Sequence, residues 1–146
     1  IQIFDSWAGA LDEKQFRQWV IKPTKEITAR LRETHPRVPV IGFPKHAGPL
    51  YVDYVKEACV SAVSLDQTVP ASWAAQEIQP LCVAQGNLDP RLLVTGGEAM
   101  REAASDILST LGKAPFIFNL GHGVLPETPP EHVAELATIV RSWLPR

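Results

Sequence analysis

The chain has 146 residues, with 14 Lys+Arg against 16 Asp+Glu and a formal net charge of −2 when the histidines are neutral. Its 45% apolar and 21% charged residues give the balance of a soluble globular chain with enough apolar surface to bury a core. No run of about 18 apolar residues could cross a bilayer, no block of like charge marks a disordered tail, and the slight acidity argues against nucleic acid as a partner.

Cys59 and Cys82 stand 23 residues apart with no CxxC, which fits neither a disulfide framework nor a structural zinc site and points to a reducing, cytoplasmic setting. The chain opens on Ile-Gln-Ile-Phe, strand-like text with no methionine, signal region or polar lead-in. It is therefore expected to be a piece of something longer.

In chain order, residues 2–4 read as a short strand running into the turn-formers Asp5-Ser6-Trp7-Ala8-Gly9. Asp12 caps a first helix with Phe16, Trp19 and Val20 on one face, and Pro23 opens a second helix carrying Ile27 and Leu31. Residues 38–43 form a near-continuous apolar strand of the kind covered on both faces. Tyr51, Tyr54, Val55, Ala58 and Cys59 then make an amphipathic helical stripe. Residues 62–65 are a third strand, 70–78 a brief helix and 81–84 a fourth strand, after which residues 85–90 read as a polar turn. Asp66 and Asp89 are best taken as helix caps. Met100, Ala103, Ala104, Ile107, Leu108 and Leu111 mark another helix, closed by Gly112. Residues 115–119 form a fifth strand before Leu120-Gly121-His122-Gly123. Thr128 and Glu131 have capping-box spacing ahead of a last helix that buries Val133, Leu136, Ala137, Val140, Trp143 and Leu144.

Five strand–loop–helix units in a row predict an α/β fold with a mostly parallel sheet, either doubly wound or part of a (β/α)₈ TIM-type barrel. No GxGxxG or GxxxxGK[ST] follows a strand, which favours the barrel. A barrel has eight strands and typically about 250 residues, so residues 1–146 read as the C-terminal portion of a single barrel domain whose N-terminal portion is absent.

Barrel chemistry gathers at the C-terminal ends of the strands. There His122, between two glycines, is either a ligand-facing imidazole or a histidine satisfied by backbone carbonyls in a tight turn. Ser6 lacks an adjoining base and a GxSxG setting, so it suits a ligand hydrogen bond better than covalent catalysis. Asp5 reads as turn chemistry, and Lys45 with His46 either meets an anion or is simply solvated. His35 and His132 belong on the surface, and the four tryptophans are packing residues rather than a stacking platform.

Taken together, Phe4-Asp5-Ser6-Trp7-Ala8-Gly9, residues 38–43, Leu65-Asp66-Gln67-Thr68, Gln85-Gly86-Asn87-Leu88-Asp89-Pro90 and Phe118-Asn119-Leu120-Gly121-His122-Gly123 resemble the C-terminal part of uroporphyrinogen decarboxylase, in that family's order and spacing. The resemblance implies a cytoplasmic homodimeric carboxy-lyase of haem and chlorophyll synthesis. It would remove the four acetate carboxyls of the tetrapyrrole uroporphyrinogen III as CO₂, giving coproporphyrinogen III, with no metal or organic cofactor. Protonating a pyrrole carbon makes the ring an electron sink, which calls for a placed acid and for cations that hold the remaining carboxylates. By resemblance Ser6 and His122 bind substrate and Phe4 forms pocket wall. The family's central aspartate, its arginines and its active-site tyrosine fall upstream of Ile1, so this segment carries no catalytic residue of its own and is expected to be inactive alone.

Two alternatives compete. A cobalamin-linked methyltransferase of the same superfold would need a zinc-binding His-x-Cys, whereas His46 is followed by Ala47-Gly48. A non-catalytic half-barrel would act only by association through its unpaired strand edges and uncovered interior.

Overall fold

A computed structural model of the chain describes residues 1–144. Strands β1 (Gln2–Asp5), β2 (Ile41–Pro44), β3 (Ala62–Ser64), β4 (Val83–Leu88) and β5 (Phe116–Leu120) form one parallel sheet in sequential order, with helices between them. The register aligns Phe4 with Phe43, Gly42 with Val63, Ser64 with Gln85, and Asn87 with Asn119. Five of the eight strands of a barrel are thus laid down in barrel order, with β1 and β5 as the outer edges among the described residues.

Alternation along each strand divides the residues between two environments. Val63, Leu65, Ala84 and Leu88 are buried and belong to one core with Phe16, Tyr51, Tyr54, Ile78, Leu93, Met100 and Leu111 from the surrounding helices. Gln2, Ser64, Gln85 and Asn119 occupy the intervening positions and turn polar groups toward the concave side. The Gln85 amide nitrogen donates to Ser64 Oγ at 3.1 Å and to Gln2 Oε1 at 3.3 Å, a link that spans from β4 to β1.

Several elements differ from expectation. Residues 85–88 of the expected polar turn are instead part of β4, because Gln85 and Asn87 find partners on other strands and loops that local sequence does not reveal. β2 begins at Ile41 rather than at residue 38, since Pro39 has no N–H with which to join the ladder. The two helices expected around Pro23 are one continuous helical run: α1 (Glu13–Phe16), a π turn over Arg17–Ile21, and α2 (Lys22–Thr34). The wider turn absorbs the donor that Pro23 lacks. It also resets the buried stripe to Phe16, Val20, Thr24 and Thr28, leaving Trp19 62% exposed and Ile27 outside the core.

Further along, α3 (Tyr51–Ala58) buries its stripe as expected except for Cys59, which ends the helix in a left-handed conformation and is exposed. Between α4 (Ala71–Glu77) and β4, Cys82 lies just outside the strand. Asp89 does cap α5 (Pro90–Thr95) through Arg91 N–H, and α6 (Gly97–Leu111) buries five of its six expected apolar residues fully. α7 (Pro130–Ser142) has Pro129, not Thr128, at its cap position. A residue before proline is kept out of helical conformation, so Pro130 must be the first helical residue and Thr128 falls one position too early. Of the expected face Leu136 is buried, Ala137, Val140 and Trp143 are half-buried and Val133 is exposed, as is Leu144 beyond the end of the helix.

Asp66 departs furthest from its expected role. Rather than capping a helix, its fully buried carboxylate accepts from the Tyr51 hydroxyl (3.0 Å), the His46 N–H (2.8 Å), the Thr68 N–H (2.9 Å) and the Thr68 hydroxyl. Asn87 Nδ2 adds a bond to the Asp66 carbonyl at 2.9 Å. These bonds fasten the β2–α3 loop to the β3–α4 loop. Burial alone would raise the Asp66 carboxyl, but the Thr68, His46 and Tyr51 donors outweigh it and hold it below its ordinary value. The sign follows: a depressed folded-state pKa contributes stability that is present above the unfolded value of about 3.9 and is lost as pH falls through the lower folded value. Asp66→Asn should therefore be less stable at neutral pH by about 2 kcal/mol, and its deficit against the parent should shrink below pH 4, as read from urea midpoints at a series of pH values.

Candidate functional site

The loops that leave the C-terminal ends of the strands meet at one rim. Backbone bonds tie the first two together: Gly9 N–H donates to the Lys45 carbonyl at 2.9 Å and Lys45 N–H to the Asp5 carbonyl at 3.0 Å. Gly9 lies so close to His46 that a Cβ there would collide with the histidine's own backbone and Cβ. At the other side, Gly121 packs against the backbone of Gln67, which leaves no room for a side chain and presses the β5 loop onto the β3–α4 loop. Four loops are thereby locked edge to edge in two pairs. At Gly9 and Gly121 the missing side chain permits close approach between neighbouring loops.

Within that frame Ser6, Phe4 and His122 come together, joined by Gln2, Phe43, Ser64 and Asn119, around a cavity of about 330 Å³ on the concave side of the sheet. Phe4, 68% exposed, stands edge-on to Phe43 with ring centroids 6.1 Å apart, and Phe43 stands edge-on to the His122 ring at 6.3 Å. One wall is thus aromatic. The polar lining is the hydroxyls of Ser6 and Ser64 and the Asn119 amide, which suits a ligand with an apolar body and polar edges.

The geometry settles the form of His122. Its Nδ1 accepts from the Gly123 N–H at 2.6 Å, so the ring proton of the neutral imidazole must sit on Nε2. Partial burial lowers its pKa from the ordinary histidine value, and the positive charges of Lys45 and His46 lower it further, with Asp66 opposing. His122 is therefore a neutral hydrogen-bond donor at neutral pH. One ring nitrogen is met in the turn, by a backbone N–H and not by the carbonyls expected, and the ring lines the cavity.

The other singled-out residues fall outside this cavity. Asp5 Oδ1 accepts from Trp7 N–H at 3.3 Å, which is the turn role expected of it. His35 is exposed, whereas His132 is half-buried and its Nδ1 lies 2.9 Å from the Leu93 carbonyl, joining α7 to α5 rather than facing solvent freely. Among the described residues no three His, Cys, Asp or Glu side chains gather as a metal site. The sequence missed Gln2 and Ser64 as lining groups, and Gln85 as the residue that bonds both. Their signal was the alternation of polar and apolar residues within the strands, obscured in β4 by Gly86.

Residues 1–143 match the family model of uroporphyrinogen decarboxylase (URO-D). The uroporphyrinogen decarboxylase of Rhodospirillum rubrum is 57% identical over 142 residues, covering 97% of this chain and 41% of the relative. Those of Chelativorans sp. and Granulibacter bethesdensis are 56% and 49% identical, again over 97% of this chain and 41% of theirs. The chain thus spans about 41% of the length of these curated relatives. None of these relatives is named as a methyltransferase, and the absence of a cysteine two residues after His46 agrees with that. With its five-stranded parallel half-barrel and its match over residues 1–143, the chain belongs to the uroporphyrinogen decarboxylase family.

Proposed function

We propose that this chain supplies the C-terminal five strands of a (β/α)₈ decarboxylase that converts uroporphyrinogen III to coproporphyrinogen III, releasing four acetate carboxyls as CO₂ in tetrapyrrole synthesis. The observation that carries the reading is the meeting of Ser6, Phe4 and His122 in one cavity at the strand ends of a chain from this family. In this proposal the Ser6 hydroxyl and the His122 Nε2–H donate to polar groups of the substrate, and Phe4 with Phe43 packs against the macrocycle.

The chemistry divides the work. A proton placed on a pyrrole carbon lets the ring take the electron pair of the breaking carbon–carboxyl bond, after which the exocyclic carbon is protonated to a methyl group and the ring carbon gives up its proton to restore the pyrrole. The electron sink is the substrate's own ring, so the step requires neither a metal nor an organic cofactor. A neutral His122 serves as a fixed donor without adding a second positive charge beside a cationic ring. The acid is not assigned to Asp66, whose oxygens are committed to four donors, nor to Asp5, which accepts in its own turn. It belongs to an aspartate in the part of the barrel upstream of Ile1. We further place the enzyme in the cytoplasm as a homodimer, without nucleic-acid or membrane partners.

The 146 residues alone should show no decarboxylation, measured as coproporphyrinogen release from protein verified by mass spectrometry. In the full-length polypeptide carrying this segment, His122→Ala should lower kcat/KM about 100-fold, and His122→Asn, which keeps a donor, should recover part of that. Ser6→Ala should raise KM about 5-fold with little change in kcat. Undiminished turnover in both His122 variants would return His122 to a purely structural role. Light scattering on the same protein should give twice the mass of one chain.

A further inference from the structure

His122 also lines two cavities on the outer rim, beyond the concave one, and Lys45 is shared by both. The first, about 460 Å³, lies between the β1 and β2 loops and includes Ser6. The second, about 270 Å³, reaches toward α5 and is lined also by Gln67, Asp89 and Arg91. Two cations therefore border a space that opens beside the imidazole.

Among the described residues neither cation makes an ion pair. Among the described residues the ion pairs are made by Arg17 and Arg101, on other parts of the surface. Asp89 is the acidic side chain on this cavity, and its Oδ1 accepts from the Arg91 N–H at 2.9 Å. Lys45 is half-buried, and the bonds of its backbone to Asp5 and Gly9 fix where its side chain starts. Its positive charge is near enough to help push down the His122 pKa. The charge of a half-buried lysine beside an imidazole, with no ion pair among the described residues, is a ready partner for an external anion.

We propose that Lys45, with Arg91 as a second arm, forms a carboxylate-binding subsite on the outer rim beside His122, distinct from the aromatic-walled cavity. Its ligand class is a polycarboxylated molecule that is held in the main cavity and extends one acidic side arm over the rim. The identity of that molecule as a tetrapyrrole rests on the decarboxylase reading; the anion chemistry of the rim does not.

The test uses the full-length polypeptide carrying this segment, with two readouts. Binding is followed by fluorescence with uroporphyrin, the oxidised macrocycle that keeps all the carboxylates, and turnover is followed with uroporphyrinogen. Lys45→Ala should weaken uroporphyrin binding about 10-fold, Lys45→Arg should stay within about 3-fold of the parent, and Arg91→Ala should weaken it by about 3-fold. The Lys45→Ala deficit should fall toward about 2-fold as salt rises from 20 to 500 mM, on the order expected for an open, screened site. In turnover the loss should sit in KM while kcat holds within about 2-fold.

Unchanged binding and KM in Lys45→Ala overturns the subsite, as does a loss confined to kcat or a deficit insensitive to salt. If the parent binds uroporphyrin in a Lys45-dependent way but does not decarboxylate uroporphyrinogen, the subsite stands and the decarboxylase reading falls. If the parent turns over normally and Lys45→Ala matches it, the reading stands and the subsite falls. A parent that does neither overturns both.

Discussion

The Asp66 carboxylate is the point on which the geometry of the rim depends. A fully buried carboxylate is costly to take out of water unless its lone pairs are answered, and among the described residues no ion pair answers them. Instead four donors do so, from Tyr51 on α3, His46 in the β2 loop, and the N–H and hydroxyl of Thr68 in its own loop. Charge-assisted hydrogen bonds of this kind are stronger than neutral ones, so the arrangement both pins the loops and keeps the carboxyl ionised. His46, held at a positive φ of 60°, accepts that backbone strain because its N–H is fixed to Asp66. From His46 the constraint passes to Lys45 and Gly9, and so to Ser6; from the β3–α4 loop it passes through Gln67 to Gly121, and so to His122. The site residues are held in place by a group that does not line their cavity.

The sheet explains the character of that cavity. Parallel strands in a barrel present one face to the helices and the other to the barrel interior, and both must be filled. The helix side is filled here by Val63, Leu65, Ala84, Leu88 and their helical partners. The concave side carries Gln2, Ser64, Gln85 and Asn119, bonded in part across the strands, together with Phe4 and Ile117, which are 68% and 41% exposed. Five strands cannot close a barrel, and apolar residues on β1 and β5 remain uncovered at the two outer edges. That agrees with a chain spanning about 41% of its relatives' length, whose interior is completed by further strands in the decarboxylase proposed here.

Much of this was legible from residues alone. The five units, their order and the loops where function gathers follow from alternating periodicities and from helix caps such as Asp12 and Asp89, whose side chains bond the backbone within three residues. Errors arose where the deciding partner was distant or where one proline changed the phase. Gln85 and Asn87 looked like a turn because polar residues beside glycine usually are; their partners Gln2, Ser64 and the Asp66 carbonyl lie 21 to 83 residues away. Pro23 called for a helix start but produced a π turn, and Pro129-Pro130 displaced the cap from Thr128.

The sequence by itself determined the fold class, the family and the three residues that meet in the cavity, because each is encoded in local pattern or in short motifs whose spacing the chain retains. Only the tertiary structure decided what those residues are. That His122 is a neutral donor through Nε2 depends on where Gly123 N–H points and on charges brought near by Lys45 and His46. That Asp66 is a buried anchor and not a helix cap depends on Tyr51 and His46, which precede it by 15 and 20 residues. Protonation and burial are properties of surroundings, and those surroundings exist only once the strands are side by side.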